Sequence, residues 1–91
     1  MIIKVLRNQE VVARKEGEEW VLFNPQTSAI HIVSYVGYEI FDSCNGEKGR
    51  KDIADAVLDK LQIENTTENQ VLIDQFFEEL IRRDIVREVK D

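Results

Sequence analysis

Several residue types on which protein chemistry often depends are scarce in this sequence. Its 91 residues include one cysteine, Cys44, and one histidine, His31, which excludes a disulfide framework and a Cys/His metal site within the chain. No apolar run approaches the roughly 20 residues of a membrane-spanning helix, and the start of the chain, Met1–Arg7, is too short and too charged for a signal peptide. We therefore expect a cytoplasmic protein that binds no metal and no cofactor.

Positive charge is also in short supply. Twelve basic side chains stand against 18 acidic ones, which gives a net charge of −6. Nucleic-acid affinity rests largely on Lys and Arg, so this balance argues against a nucleic-acid ligand and against binding to an anionic membrane. Peptides are not excluded, because they bind mostly through main-chain hydrogen bonds and apolar pockets.

Catalytic motifs are missing as well. The sequence contains no glycine-rich phosphate loop and no nucleophile motif, and its carboxylates are scattered rather than paired. Cys44 falls near the end of a predicted helix, where the helix dipole does not lower the pKa of a thiol. We expect a protein that is not an enzyme.

What is present is an ordinary globular composition, 43% hydrophobic, which fits a single domain over residues 1–91. Short connections between alternating segments predict an antiparallel meander with the Trp20 strand in the middle. Three helices should follow, packed on one face of the sheet in an α+β fold. The predicted strands are Glu10–Lys15, Trp20–Phe23 and Ser28–Val33, and the predicted helices are Tyr35–Cys44, Arg50–Leu61 and a third that opens with the capping box Thr67-x-x-Gln70 and ends near Arg83.

Two segments near the ends of the chain also carry apolar side chains. Ile2–Leu6 could pair loosely or simply cover the core, and the alternating segment Ile85–Val89 could form a last short strand.

The third predicted strand has an unusual edge. Ser28–Val33 carries no charge and no proline, with Ile30 and Ile32 on one face and Ala29, His31 and Val33 on the other. The first strand, by contrast, carries Arg14 and Lys15, charges that protect an edge against pairing. We interpret the uncharged edge, Ala29–Val33, as a site where a foreign peptide adds as a strand. The alternatives are that Met1–Leu6 or a dimer partner covers it.

The third helix has more apolar surface than docking on one core requires. Its apolar side chains span an arc of about 180°, wider than the usual stripe of about 100°. Either the helix packs on two sides or one side lines a peptide pocket, in which case Phe76 and Phe77 face different ways. The apolar residues are Leu72, Ile73, Phe76, Phe77, Leu80 and Ile81. Arg82 and Arg83 follow them, either as helix-end cations or as a docking point for an acidic side chain of the peptide.

The order of these elements over about Val11–Val86 resembles the PqqD-like family. The resemblance lies in Val21–Thr27, a strand with a proline turn, in Val33–Phe41, in Asp52-Ile53-Ala54, and in Phe77-x-x-Leu80-Ile81. It implies a winged-helix-like domain that binds the leader of a ribosomally made precursor peptide beside the third strand and against the third helix. It further implies that the domain presents the peptide to a modifying enzyme, often a radical S-adenosylmethionine maturase, with a pathway of the pyrroloquinoline quinone (PQQ) type as one candidate.

Two other functions compete with a peptide chaperone. One is a winged-helix DNA-binding regulator, which the acidic balance and the three basic residues of the second helix (Arg50, Lys51, Lys60) disfavour. The other is a structural subunit that forms a homodimer through its open strand.

Overall fold

The computed structural model describes residues 2–90 and contains two small antiparallel sheets with three helices. The strands are β1 (Ile3–Arg7), β2 (Val12–Glu16), β3 (Glu19–Asn24), β4 (Ala29–Val33) and β5 (Val86–Lys90), and the helices are α1 (Tyr35–Asp42), α2 (Arg50–Lys60) and α3 (Thr67–Arg82). Met1, the first residue of the predicted N-terminal arm, and Asp91 lie outside the described residues.

The predicted α+β meander is confirmed, with β3 between β2 and β4. Its strands follow the expected alternation, since Leu22 and Val33 are buried on the inner face while Ile30 and Ile32 are exposed on the other. Trp20 is half-buried on the inner face and stacks on Tyr38 of α1, with ring centroids 3.7 Å apart. This stack attaches α1 to the middle of the sheet.

The two ends of the chain form a sheet of their own. β1 pairs with β5, Ile3 opposite Lys90 and Arg7 opposite Val86, and Val5 and Val86 are fully buried. The described part of the N-terminal arm therefore does not cover the edge of β4, which corrects one of the alternatives left open by the sequence. Gly49 makes this arrangement possible, because a Cβ at that position would lie 2.8 Å from the carbonyl oxygen of Ile3.

Several helix boundaries differ from the sequence prediction. The N-cap of α3 is Thr66 and not Thr67, since its hydroxyl accepts the amide of Asn69. The predicted capping box is thus wrong, and the side chain of Gln70 instead donates to Asp55 of α2 and to Asn65. The first strand of the meander, β2, begins at Val12, two residues after the predicted start at Glu10.

The core lies between the inner faces of both sheets and the three helices. Phe77, Leu80 and Ile73 of α3 enter it, together with Ile40 and Phe41 of α1. Burial of side chains of this size is the main favourable term in folding, at about 1.5–3 kcal/mol each. Cys44 is also completely buried, and burial raises the pKa of its thiol to about 12.

Candidate functional site

The outer edge of β4 is open. Among residues 2–90, β3 is the only strand that pairs with β4, so one row of its backbone groups faces away from the sheet. The guanidinium of Arg83 approaches from α3 and donates through Nη1 to the carbonyl oxygen of Ile30 at 3.3 Å, which identifies this carbonyl as one of the outward-pointing groups.

The same contact assigns the outward direction to particular residues. In an antiparallel pair each residue directs its amide and its carbonyl to the same side, and neighbouring residues alternate. Ile30 and Ile32 therefore present their backbone groups to the open edge, whereas Ala29, His31 and Val33 are hydrogen-bonded towards β3. The edge offers two amides and two carbonyls within β4.

An apolar groove of about 390 Å³ lies between this edge and α3. α3 contributes Leu72, Ile73 and Phe76 to its wall, and the start of α1 closes its floor. Leu72 is 56% exposed, an unusual state for a leucine beside a core. The lining residues are His31, Ile32, Val33, Ser34, Val36, Gly37, Ile40, Leu72, Ile73 and Phe76.

The position of Phe76 depends on a glycine. A Cβ on Gly37 of α1 would lie 2.9 Å from the Cβ of Val33 and 3.0 Å from Cζ of Phe76. The missing side chain lets α1, β4 and α3 approach closely at the base of the groove. Phe76 then meets His31 edge-on, with ring centroids 5.8 Å apart.

His31 is the titratable residue of the groove wall. Burial lowers its pKa below the usual 6.5, the nearby charge of Arg83 lowers it further, and Glu79 opposes the shift. The imidazole is therefore neutral at pH 7. A neutral ring is compatible with an apolar groove that receives a peptide side chain.

The two arginines at the end of α3 share one carboxylate. Hydrogen bonds from Arg82 and then Arg83 hold the pKa of Glu79 at about 2, so this group stays ionised at neutral pH. Arg83 Nε donates to Glu79 Oε1 at 2.7 Å while its Nη1 reaches β4. Arg82 is more exposed than Arg83, and its guanidinium also pairs with Glu79.

The structure places the predicted site residues in three locations. The backbone positions 29–33 form the open strand, and Leu72, Ile73 and Phe76 line the groove together with His31. Phe77 and Leu80 are 0% exposed and belong to the core, and Ile81 packs against it, so these three do not line the groove. Whether the groove residues bind a peptide stays a prediction.

Sequence reasoning missed the residues that hold α3 in place beside β4. The side-chain amides of Asn8 and Asn24 both donate to the carbonyl oxygen of Asp84, at 2.9 and 3.0 Å. Asp84 itself has φ = +56°, the left-handed conformation in which a helix often ends. Asn24 is completely buried, and a buried amide requires partners, but its burial becomes visible only in the structure.

A second, larger cleft of about 540 Å³ lies between α2 and α3. Arg50 forms part of its wall, and its guanidinium binds Glu78 at 2.6 Å, Asp74 at 3.1 Å and Glu88 at 3.2 Å. The charged groups of this wall are thus satisfied internally, and no unpaired strand edge borders it. The groove beside β4 is the better candidate site.

Comparison with known proteins agrees with this fold. The family profile of coenzyme PQQ synthesis protein D (PqqD) matches residues 19–86, which is more than half of the chain. The chain belongs to the PqqD family. The match to this PqqD profile contains β3, β4 and all three helices, and therefore both walls of the groove.

The architecture of this PqqD-family chain is also similar to that of a solved structure, TbiB1 in complex with the TbiA(beta) leader peptide. The TM-score is 0.70 at 19% sequence identity, and the match covers 94% of this chain and 99% of TbiB1. At this identity the similarity concerns the fold. A comparison with curated protein sequences found no significant match.

Neither a membrane span nor a metal cluster is found within residues 2–90. No helix there is long and apolar enough to cross a bilayer, and no three His, Cys, Asp or Glu side chains are grouped as metal ligands.

Proposed function

We propose that this chain is a non-catalytic recognition domain that binds the leader segment of a ribosomally made precursor peptide. The observation that carries the proposal is the unpaired edge of β4 beside an apolar groove walled by α3. The leader adds to β4 as an antiparallel or parallel strand and places alternate side chains in the groove. Membership of the PqqD family supports this function, and so does the similar fold of TbiB1, whose structure was solved in complex with a leader peptide.

Most of the binding free energy must come from apolar contacts in the groove and not from backbone hydrogen bonds. Ile30 and Ile32 offer four backbone groups to a peptide strand. At about 1 kcal/mol each they contribute roughly 4 kcal/mol, the equivalent of about millimolar binding before association costs. Apolar peptide side chains packed on Leu72 and Phe76 must supply the rest.

Arg83 has two roles in this proposal. In the free chain its guanidinium satisfies the Ile30 carbonyl, and a peptide amide replaces it there when the strand adds. The released guanidinium, still held by Glu79, then lies beside the bound backbone and orients an acidic side chain of the leader. Arg82 is the second cation at this end of the groove.

The partner that uses the bound peptide is a modifying enzyme. A domain without catalytic groups of its own acts by presenting the precursor, and we propose a radical S-adenosylmethionine maturase in the cytoplasm as the recipient. The family description, coenzyme PQQ synthesis protein D, makes a PQQ-type pathway one candidate.

A DNA-binding role has less support from the side chains of α2. Lys51 pairs with Asp55 at 3.2 Å and Lys60 pairs with Glu39 at 2.9 Å, while Arg50 binds three carboxylates. Cations already paired in this way are poorly placed to neutralise phosphates.

Titration of the isotopically labelled chain with a synthetic leader peptide, taken from a precursor gene sought beside the chain's own gene, tests the proposal. We expect the largest amide shifts at Ile30 and Ile32, and methyl shifts at Leu72. Shifts confined to the cleft between α2 and α3, or no binding at millimolar peptide, would contradict it. A concentration-dependent dimer in the absence of peptide, with Ile30 and Ile32 at its interface, would favour the structural subunit.

A further inference from the structure

The face of the three-stranded sheet that points away from the core is largely apolar. We define the outer face by five side chains, of which Ile32 is 60% exposed, Val12 56%, Ile30 55% and Phe23 36%, with Val21 half-buried between them. Antiparallel sheets with one solvated face normally place polar side chains there. Five apolar residues among the eight strand positions of this face depart from that rule.

The strand register makes these side chains one contiguous patch. Phe23 lies opposite Val12 on one side and opposite Ile30 on the other, and Val21 lies opposite Ile32. Directly opposed side chains are about 5 Å apart, close enough to touch. Single exposed apolar residues are ordinary, but a continuous patch on a sheet marks a surface that another molecule covers.

The border of the outer face carries excess negative charge. Glu16 and Glu19 lie on this face at one end of the strands, while Arg14, the single cation among its eight strand positions, is paired with Glu16 at 2.8 Å. A second copy of the chain, with its net charge of −6, would bring like charges together. The border therefore selects a different protein, one whose apolar contact surface is surrounded by Lys and Arg.

We propose that the outer face is the docking surface for such a protein, and that this protein is the enzyme that modifies the bound peptide. The identity of the partner rests on the proposed function; the location and chemistry of the surface do not. Ile30 and Ile32 provide the connection, because their side chains belong to the outer face while their backbone groups form the open edge. An enzyme docked there lies directly beside the bound leader.

The experiment uses a candidate peptide-modifying enzyme sought among the genes beside the chain's own gene, and it measures binding of that enzyme to fluorescently labelled wild type and to Phe23→Glu. We expect Phe23→Glu to weaken enzyme binding by at least about tenfold, the effect of losing a central aromatic contact. Affinity for the leader peptide should stay unchanged, since Phe23 lies on β3 and outside the groove. Phe23→Thr, which keeps a strand-forming residue without adding charge, should weaken enzyme binding less and serves if Phe23→Glu unfolds.

Ala56→Glu is the matched control, because Ala56 is exposed on α2, away from the sheet. Equal enzyme binding by wild type and both Phe23 variants would overturn the proposal. So would a wild-type dimer that Phe23→Glu dissociates, since the occupant would then be a second copy. The two proposals fail separately: a wild type that binds no leader overturns the proposed function, whereas enzyme binding that depends on Phe23 still supports the docking surface.

Discussion

The two edge strands of the same sheet are built in opposite ways. β2 has Arg14, Lys15 and Glu16 in its five residues, and the cleft that Ala13 shares with Tyr38 and Phe41 of α1 is small, at about 190 Å³, and mostly polar. β4 has no charged residue, and α3 stands beside it across an apolar groove. Exposed backbone groups invite pairing with other chains, and charged side chains are a common defence.

The difference supports the proposal that β4 is left open for a specific partner. A chain that merely tolerated unpaired edges would have no reason to protect β2 with three consecutive charges. The groove adds a requirement for matching side chains, so an arbitrary strand gains little from β4 alone. The free edge of β4 thus has the properties expected of a binding site, whereas the free edge of β2 has those of an edge protected against pairing.

Proline substitution compares the two edges directly and should give the largest effect. Ile32→Pro removes an outward amide of β4 that the sheet itself does not use, so we expect the chain to fold and leader binding to fall by more than about 100-fold. The loss combines one missing hydrogen bond with the distortion of the strand that the peptide must match. Isothermal titration calorimetry measures the affinity.

Lys15→Pro is the corresponding change at the other edge. By the alternation across β3, the backbone groups of Lys15 point away from the sheet as those of Ile32 do. We expect normal leader binding by this variant. Equal loss of binding in both, or full binding by a folded Ile32→Pro, would remove β4 as the site.

The sequence was sufficient to predict this contrast because edge protection is a local property. The charges of β2, the uncharged run of β4 and the turn at Pro25 can be read within a few residues, and the meander follows from short connections. The helical period likewise gave the apolar arc of α3. These features depend on neighbours in the chain.

Long-range contacts were beyond the reach of the sequence pattern. The pairing of β1 with β5 joins residues 79 to 87 positions apart, and no periodicity indicates such a partner. The choice between Phe76 and Phe77 also needed the structure, because both lie within one continuous apolar arc. In the structure the ring of Phe76 lies at the groove, in the space that Gly37 leaves free.

These adjacent phenylalanines offer the second test of the comparison. Phe76→Ala should reduce leader affinity by about 10- to 100-fold, because it removes the aromatic wall of the groove. Phe77→Ala should instead lower the free energy of unfolding by about 3–5 kcal/mol, since the side chain is completely buried. Chemical denaturation and peptide titration separate the two effects. Similar stability losses for both variants would place Phe76 in the core rather than in a site.

Substitution of Arg83 should change leader affinity by a smaller factor, and the direction of the change should depend on the peptide. Arg83→Gln frees the Ile30 carbonyl, so a leader variant without acidic residues should bind as well as or slightly better than it does to wild type. The natural leader, if an acidic residue meets Arg83, should bind roughly three- to tenfold more weakly, and its salt dependence should decrease. Arg82→Gln is the matched control, because Arg82 shares Glu79 but makes no contact with β4. Equal effects of the two substitutions would show that only the general charge of this helix end matters.

The smallest expected effect is a pH dependence at His31. Burial, followed by the charge of Arg83, already lowers the pKa of this imidazole below 6.5, and Glu79 only partly opposes them. A bound leader buries the ring further and lowers its pKa again, so protonation must oppose binding. Affinity should therefore be constant above pH 6.5 and fall as the pH drops below it, by roughly two- to fivefold at pH 5.5.

His31→Gln determines whether the imidazole causes that dependence. Glutamine keeps a polar side chain at the groove wall but does not titrate, so its affinity for the leader should be the same at pH 7.5 and pH 5.5. Glu79 cannot account for a change in this window, because its pKa is about 2. If His31→Gln keeps the pH profile of the wild type, the titrating group belongs to the peptide. The wall of the groove beside β4 is then insensitive to protonation.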